Sequence, residues 1–172
     1  RGEVREAVQE RAEHMLRIPL DPMALSDLEL IATGALSPLT GFMGRVDYDR
    51  CVQDMRLANG LVWGVPVTLA APDDLAARIT EGQEVALCEG DRVLAVMEVA
   101  EKFSNDRETK EREAREVYRT TDEAHPGVAR LYANHETFLG GDVWLVEWPS
   151  AVRAEFPELR HTPAESRRIF AR

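Results

Sequence analysis

The chain has 172 residues, 44% of them apolar and 30% charged, a balance that excludes a disordered chain. No apolar run approaches the ~18 residues that a membrane span needs. Twenty-one bases against 31 acids leave a net charge of -10, which repels phosphate backbones and weighs against nucleic-acid binding.

In chain order, residues 4–16 predict an amphipathic helix, with Val4, Val8, Ala12, Met15 and Leu16 on one face. Pro19 and Pro22 end it. Ser26-Asp27-Leu28-Glu29 has the form of a capping box, opening a helix that stops at Gly34. Leu36–Met43 is apolar but broken by Pro38 and Gly41, so a buried, irregular segment is expected there. Tyr48, Cys51, Val52 and Met55 stand at helical spacing within a helix over 46–57. Asn59-Gly60 signals a turn. Leu61–Ala71 is rich in β-branched residues and predicts a strand, with Pro66 towards one edge.

Asp73–Ile79 allows one or two helical turns. Glu84–Glu89 and Arg92–Val99 flank Gly90-Asp91 and predict a hairpin. Residues 106–118 form a charged helix. The run from Glu101 to Glu123 carries eight acids and six bases, with Glu108–Arg112 and Glu111–Arg115 at i, i+4, and predicts a solvated face. Pro126 suits the first position of a short helix. Phe138–Trp148 predicts a strand pair or a strand kinked at Gly140-Gly141. Thr162-Pro163-Ala164-Glu165 is a second capping box, opening a helix still running at Arg172. That start, with the Arg1 beginning, predicts a piece of a longer protein. Helices first, then strands joined by turns, give an α+β fold with a small mixed or antiparallel barrel.

Motifs for chemistry are sparse. Cys51 and Cys88 lie in apolar patterns and form no CxxC, which excludes a zinc ribbon or thioredoxin-type centre. His14, His125, His135 and His161 include no pair at i, i+3 or i, i+4. Gly140-Gly141 is too short for a phosphate loop. Ser37 and Ser166 have no histidine nearby in sequence. Trp63, Trp144 and Trp148 fit strand packing better than a base-stacking platform, since Asp142 and Glu147 stand beside the last two. The one cluster with chemical potential is Thr120–Val128, where Asp122 or Glu123 could orient His125 as a base; turn and cap roles explain the same residues. With no signal peptide, the cytoplasm is the expected compartment.

Four stretches together resemble one family. Leu30–Met43 (LIATGALSPLTGFM), Asp54–Trp63 (DMRLANGLVW) followed by Val65–Leu69 (VPVTL), Thr120–Val128 (TTDEAHPGV) and Leu159–Arg167 (LRHTPAESR) are similar, in the right order, to the N-terminal region of ATP sulfurylases (sulfate adenylyltransferases). The resemblance covers residues 26–172. It implies a PUA-like mixed β pseudo-barrel with peripheral helices, set out as an N-terminal helical extension at 1–22, the PUA-like domain at 23–161, and the start of a helix leading to a catalytic domain at 162–172.

The family's Gln-x-Arg-Asn-Pro and His-x-x-His motifs, which hold ATP and sulfate, do not occur here. No catalytic, cofactor-binding or metal-binding residue is therefore assigned to this chain. MgATP is expected in the missing domain, and this chain alone is expected to be inactive. The implied partner is the catalytic domain of the same parent chain, reached through residues 37–43 and the helix from Thr162; a homo-oligomer is possible. The alternative from the fold is a PUA-type RNA-binding module, against which the acidic balance stands.

Overall fold

The computed structural model describes residues 11–12, 14–150 and 159–171. The expected helix at 4–16 lies mostly outside them. Of its described part, Arg11 and Ala12 are helical, but Leu16 opens a strand, β1 (Leu16–Pro19). The chain is α+β with mixed strand pairing, and its contacts gather into two compact units that interleave along the sequence.

The first unit holds the described residues up to Gly41, Glu84–Glu98, and those from Asp142 onward. Helix α1 (Pro22–Ala32) begins earlier than its sequence suggests. Asp21 accepts from the amides of Met23 and Ala24, and Pro22 sits at the first helical position, where its missing N–H costs nothing. The Ser26–Glu29 box is therefore mid-helix. Gly34, at φ +75°, closes the helix as expected.

Strands β4 (Glu84–Glu89) and β5 (Arg92–Glu98) form the expected antiparallel hairpin, with Gly90 at φ +60° in the turn. β1 adds in parallel to β4, pairing Leu16 with Val85 and Pro19 with Cys88. Val85, Ala86, Leu87 and Cys88 are all buried, so β4 is covered on both faces. Ala86 and Cys88 pack with Ala12, Met15 and Val93. The β4–β5 register shifts between Leu87 and Cys88. The carbonyl of Leu94 accepts instead from the amides of Val146 and Glu147. Helix α6 (Pro163–Phe170) has the expected reciprocal cap between Thr162 and Glu165, and none of its residues is buried.

The second unit holds Phe42–Gln83 and Val99–Gly141. The two-residue strand β2 (Gly41–Phe42) marks the chain's passage into it. Within it, Thr137–Leu139 of β7 (Thr137–Leu145) pairs antiparallel with both β3 (Leu69–Ala71) and β6 (Glu101–Ser104). Around this ladder lie α2 (Arg45–Asp54), α3 (Asp73–Ala76), α4 (Arg107–Glu113), a π-helical turn (Ala114–Tyr118) and α5 (Pro126–Ala133). Tyr48, Phe103 and Phe138 meet at the centre with all three ring centroids 5.6 Å apart, tilted or edge-on as ring quadrupoles prefer. β7 is one strand, not a pair. Gly140 has to be glycine, because a Cβ there would lie 2.6 Å from the Gly44 Cα and 2.7 Å from the Met43 carbonyl.

Several expectations are corrected here. Of Leu61–Ala71 only the last three residues form a strand. The earlier part bonds back to the end of α2 instead: Trp63 N donates to Met55 O, Leu57 N to Leu61 O, and the Cys51 thiol to Trp63 O. Met55 is not on the buried face. It takes the left-handed conformation that ends α2, which turns its side chain outward. In Leu36–Met43 only Gly41, Phe42 and Met43 are buried; Ser37, Pro38 and Thr40 are exposed. The charged helix is not merely solvated, since Lys110 and Glu113 are buried.

Candidate functional site

Five polar residues of the second unit, Arg45, Tyr48, Asp49, Arg112 and Glu113, converge where α2 meets α4. The Tyr48 hydroxyl donates to Glu113 Oε2 at 2.7 Å, in a setting buried from water. Burial pushes the Glu113 carboxyl above its ordinary value, outweighing the Tyr48 hydrogen bond and the Arg112 charge, which act the other way. Burial and the Glu113 charge likewise raise the Tyr48 phenol, which keeps its proton and stays a donor. Beside them, Asp49 accepts from Arg45 Nε at 2.6 Å and from Arg112. Its partial burial opposes ionisation, yet these two hydrogen bonds hold its carboxyl below the usual range. Arg112 thus pairs across helices with Asp49 rather than with Glu108. Glu101 accepts from Arg45 N at 2.7 Å and caps α2 from β6. Tyr48–Glu113 and Asp49–Arg112 are paired across the two helices, so the cluster fastens α2 to α4.

The Thr120–Val128 stretch is likewise occupied by its own backbone. His125 Nδ1 accepts from Gly127 N at 3.2 Å and caps α5. Asp122 Oδ1 accepts from Ala124 N, and Thr120 Oγ1 accepts from Asp122 N. Neither carboxylate is hydrogen-bonded to His125, so the base-orienting arrangement is not formed. The imidazole packs on the Tyr118 ring, 5.2 Å between centroids. Cys51 and Cys88 are buried free thiols. Burial, aided by Glu113 and Asp47, pushes Cys51 up to about 12, far from a reactive thiolate. His14, His125 and His161 are exposed, and among the described residues no three His, Cys, Asp or Glu side chains converge as a metal site. Trp144 is half exposed, and Trp148 lies beyond the end of β7.

Among the described residues, each unit carries a groove. One, of about 690 Å3 in the first unit, runs between the end of α1, Ser37–Thr40 and Asp142–Leu145. Its walls are tied together by Thr40, whose hydroxyl bonds Asp142 and whose carbonyl accepts from Val143 N at 3.1 Å. Ser37 Oγ donates to Gly34 O at 2.8 Å and is not free to attack anything. The second, of about 460 Å3 in the second unit, holds Lys102, Asp73 and Glu136. There the Lys102 ammonium donates to the carbonyls of Ala76, the last residue of α3, and Ile79, both at 2.9 Å.

The Tyr48–Glu113 pair escaped the sequence reading. A signal existed: Ala114, Val117 and Tyr118 stand at i, i+3, i+4 within the charged run, and Lys110 and Glu113 fall on the same face at helical spacing.

A family model described as a PUA-like domain matches residues 1–148. A sulfate adenylyltransferase of Symbiobacterium thermophilum is 53% identical over the whole of this chain, which spans 42% of that relative. One from Synechococcus sp. (strain JA-3-3Ab) is 47% identical over 95% of this chain and 40% of its own length. Among solved structures, a hexameric APS kinase from Thiobacillus denitrificans superposes with a TM-score of 0.71 at 29% identity, over 98% of this chain and 28% of that one. The chain thus spans about two-fifths of the length of these curated relatives. It belongs to the PUA-like domain family.

Proposed function

We propose that this chain is the N-terminal PUA-like portion of a sulfate adenylyltransferase of the cytoplasm, and that the reacting groups lie in the rest of the parent protein. The observation that carries this is the 53% identity along the entire chain to a relative of which it forms only 42%. In the reaction a sulfate oxygen attacks the α-phosphorus of MgATP. A new P–O bond to sulfate forms, the bond to the β-phosphate oxygen breaks, and adenosine 5'-phosphosulfate and pyrophosphate leave. Such a step needs cationic groups around the α- and β-phosphates and the sulfate. Here the net charge is -10, and Arg45, Arg112 and Lys102 are committed to internal partners. The domain's role in this reading is structural, with the catalytic portion of the same polypeptide as its partner and no part in nucleic-acid binding.

Sulfate-dependent pyrophosphate release from MgATP tests it, on this chain and on the full parent. Release from the parent alone is expected. Release from the 172-residue chain would overturn the structural role, and His125→Ala would then be the first variant to assay.

A further inference from the structure

One surface of the second unit departs from ordinary solvent-facing chemistry. Met55, Leu61, Val62 and Val65 are 48–71% exposed, all within an eleven-residue stretch. Arg56 is the only charged residue from Met55 to Val65, in a chain that is 30% charged. The stretch is not slack. Leu57 is buried and anchors it. Arg56 bridges to Val62, Arg56 Nη1 donates to Gly60 O at 2.8 Å, Ala58 N donates to Asp47 Oδ1 at 2.7 Å, and Leu61 N to Asn59 Oδ1 at 3.0 Å.

At its start, Met55 occupies φ 53°, ψ 42°, a left-handed helix end where glycine is the usual residue. A side chain there is sterically disfavoured, and the side chain held there is apolar and turned to solvent. The loop thus spends backbone strain and several hydrogen bonds on displaying apolar groups in a fixed arrangement. A preformed surface loses little entropy when covered, and a charge-depleted apolar patch matches the core of a permanent interface more than that of a transient one.

We infer that Met55, Leu61, Val62 and Val65 dock the portion of the parent polypeptide outside these 172 residues. The inference rests on the proposed function for the existence of that portion, since the relatives continue for more than half their length beyond what this chain covers. A covalently continuous segment is always present, which is what a permanent apolar contact requires.

The test uses the full parent protein carrying Val62→Cys, with Val65→Cys as a second variant. The rate of labelling by a charged thiol reagent at that position is read by peptide mass spectrometry, native against urea-unfolded, at two protein concentrations. Labelling at least tenfold slower in the native protein, at both concentrations, is expected. Native labelling within twofold of the unfolded rate at both positions overturns the inference. Protection that disappears on dilution also overturns it, because the occupant is then a second copy. Pyrophosphate release from the same samples separates the two readings. Protection without sulfate-dependent release leaves the docking standing and removes the enzymatic reading; release with open thiols removes the docking alone.

Discussion

The β4–β5 hairpin and the α2–α4 junction solve the same problem by opposite means. In the hairpin, Val85, Ala86, Leu87 and Cys88 lie buried beside Leu94, Ala95, Val96 and Met97. Its partners are neighbours in sequence across one turn, and its energy is apolar burial. At the junction, Tyr48 meets Glu113 and Asp49 meets Arg112 from more than sixty residues away. There the fold buries ionisable groups and depends on each keeping its partner. The first arrangement buries no carboxylate and is intolerant of lost volume. The second tolerates little change in hydrogen bonding and is tied to proton uptake.

The largest expected effect is on the hairpin. Leu87→Ala removes a fully buried side chain and should lower the unfolding free energy by about 2–5 kcal/mol in denaturant titration. A loss below about 1 kcal/mol would mean that the site collapses to fill the space. At the junction, Tyr48→Phe keeps the ring but leaves Glu113 without its donor, at a cost of about 1–3 kcal/mol. Tyr48→Phe combined with Glu113→Met should then cost less than the sum of the two single changes. Strict additivity would show that the pair is not coupled.

Acid and base titration sharpens the contrast. The folded protein holds the Glu113 proton to a higher pH than the unfolded chain does. Its contribution is complete below the ordinary carboxyl value of 4.5 and is lost as pH rises from there through the raised value. Asp49 acts in reverse: its contribution is present above its ordinary value of 3.8 and is lost as pH falls through the depressed one. Melting temperatures across pH should show Glu113→Gln flattening the decline on the alkaline side of 4.5 and Asp49→Asn flattening the acid loss. Leu87→Ala should shift the whole curve without changing its shape. The smallest effect belongs to α6, where Thr162→Ala removes a cap worth about 1 kcal/mol to the first turn. Since no residue of α6 is buried, faster amide exchange at Glu165 with an unchanged global midpoint is expected.

The hairpin was legible because its signals are local: a short apolar run on each side of Gly90-Asp91. The α6 cap was legible for the same reason, being four residues long. Legibility failed where one residue carried two readings. Pro22 reads equally as the end of one helix and the first position of the next, and Asp21 before it decides for the second. Met55 continues the helical stripe in sequence, but a left-handed backbone takes it off that stripe. Val62 and Val65 have strand-forming side chains, yet their segment's hydrogen bonds go back to the end of α2. His125 has the composition of a catalytic base and spends its lone pair on Gly127 N.

Composition, turn residues and periodicity determined an acidic α+β chain, its hairpin and its last helix. Those properties depend on neighbours within a few residues, where backbone geometry is nearly independent of the rest. Tertiary structure alone decided that Glu113 is buried with Tyr48, that Arg112 serves Asp49, and that the apolar residues after α2 face outward. Each of these depends on which surface meets which over long separations, and the free energy of burying or exposing a group belongs to the meeting and not to the residue.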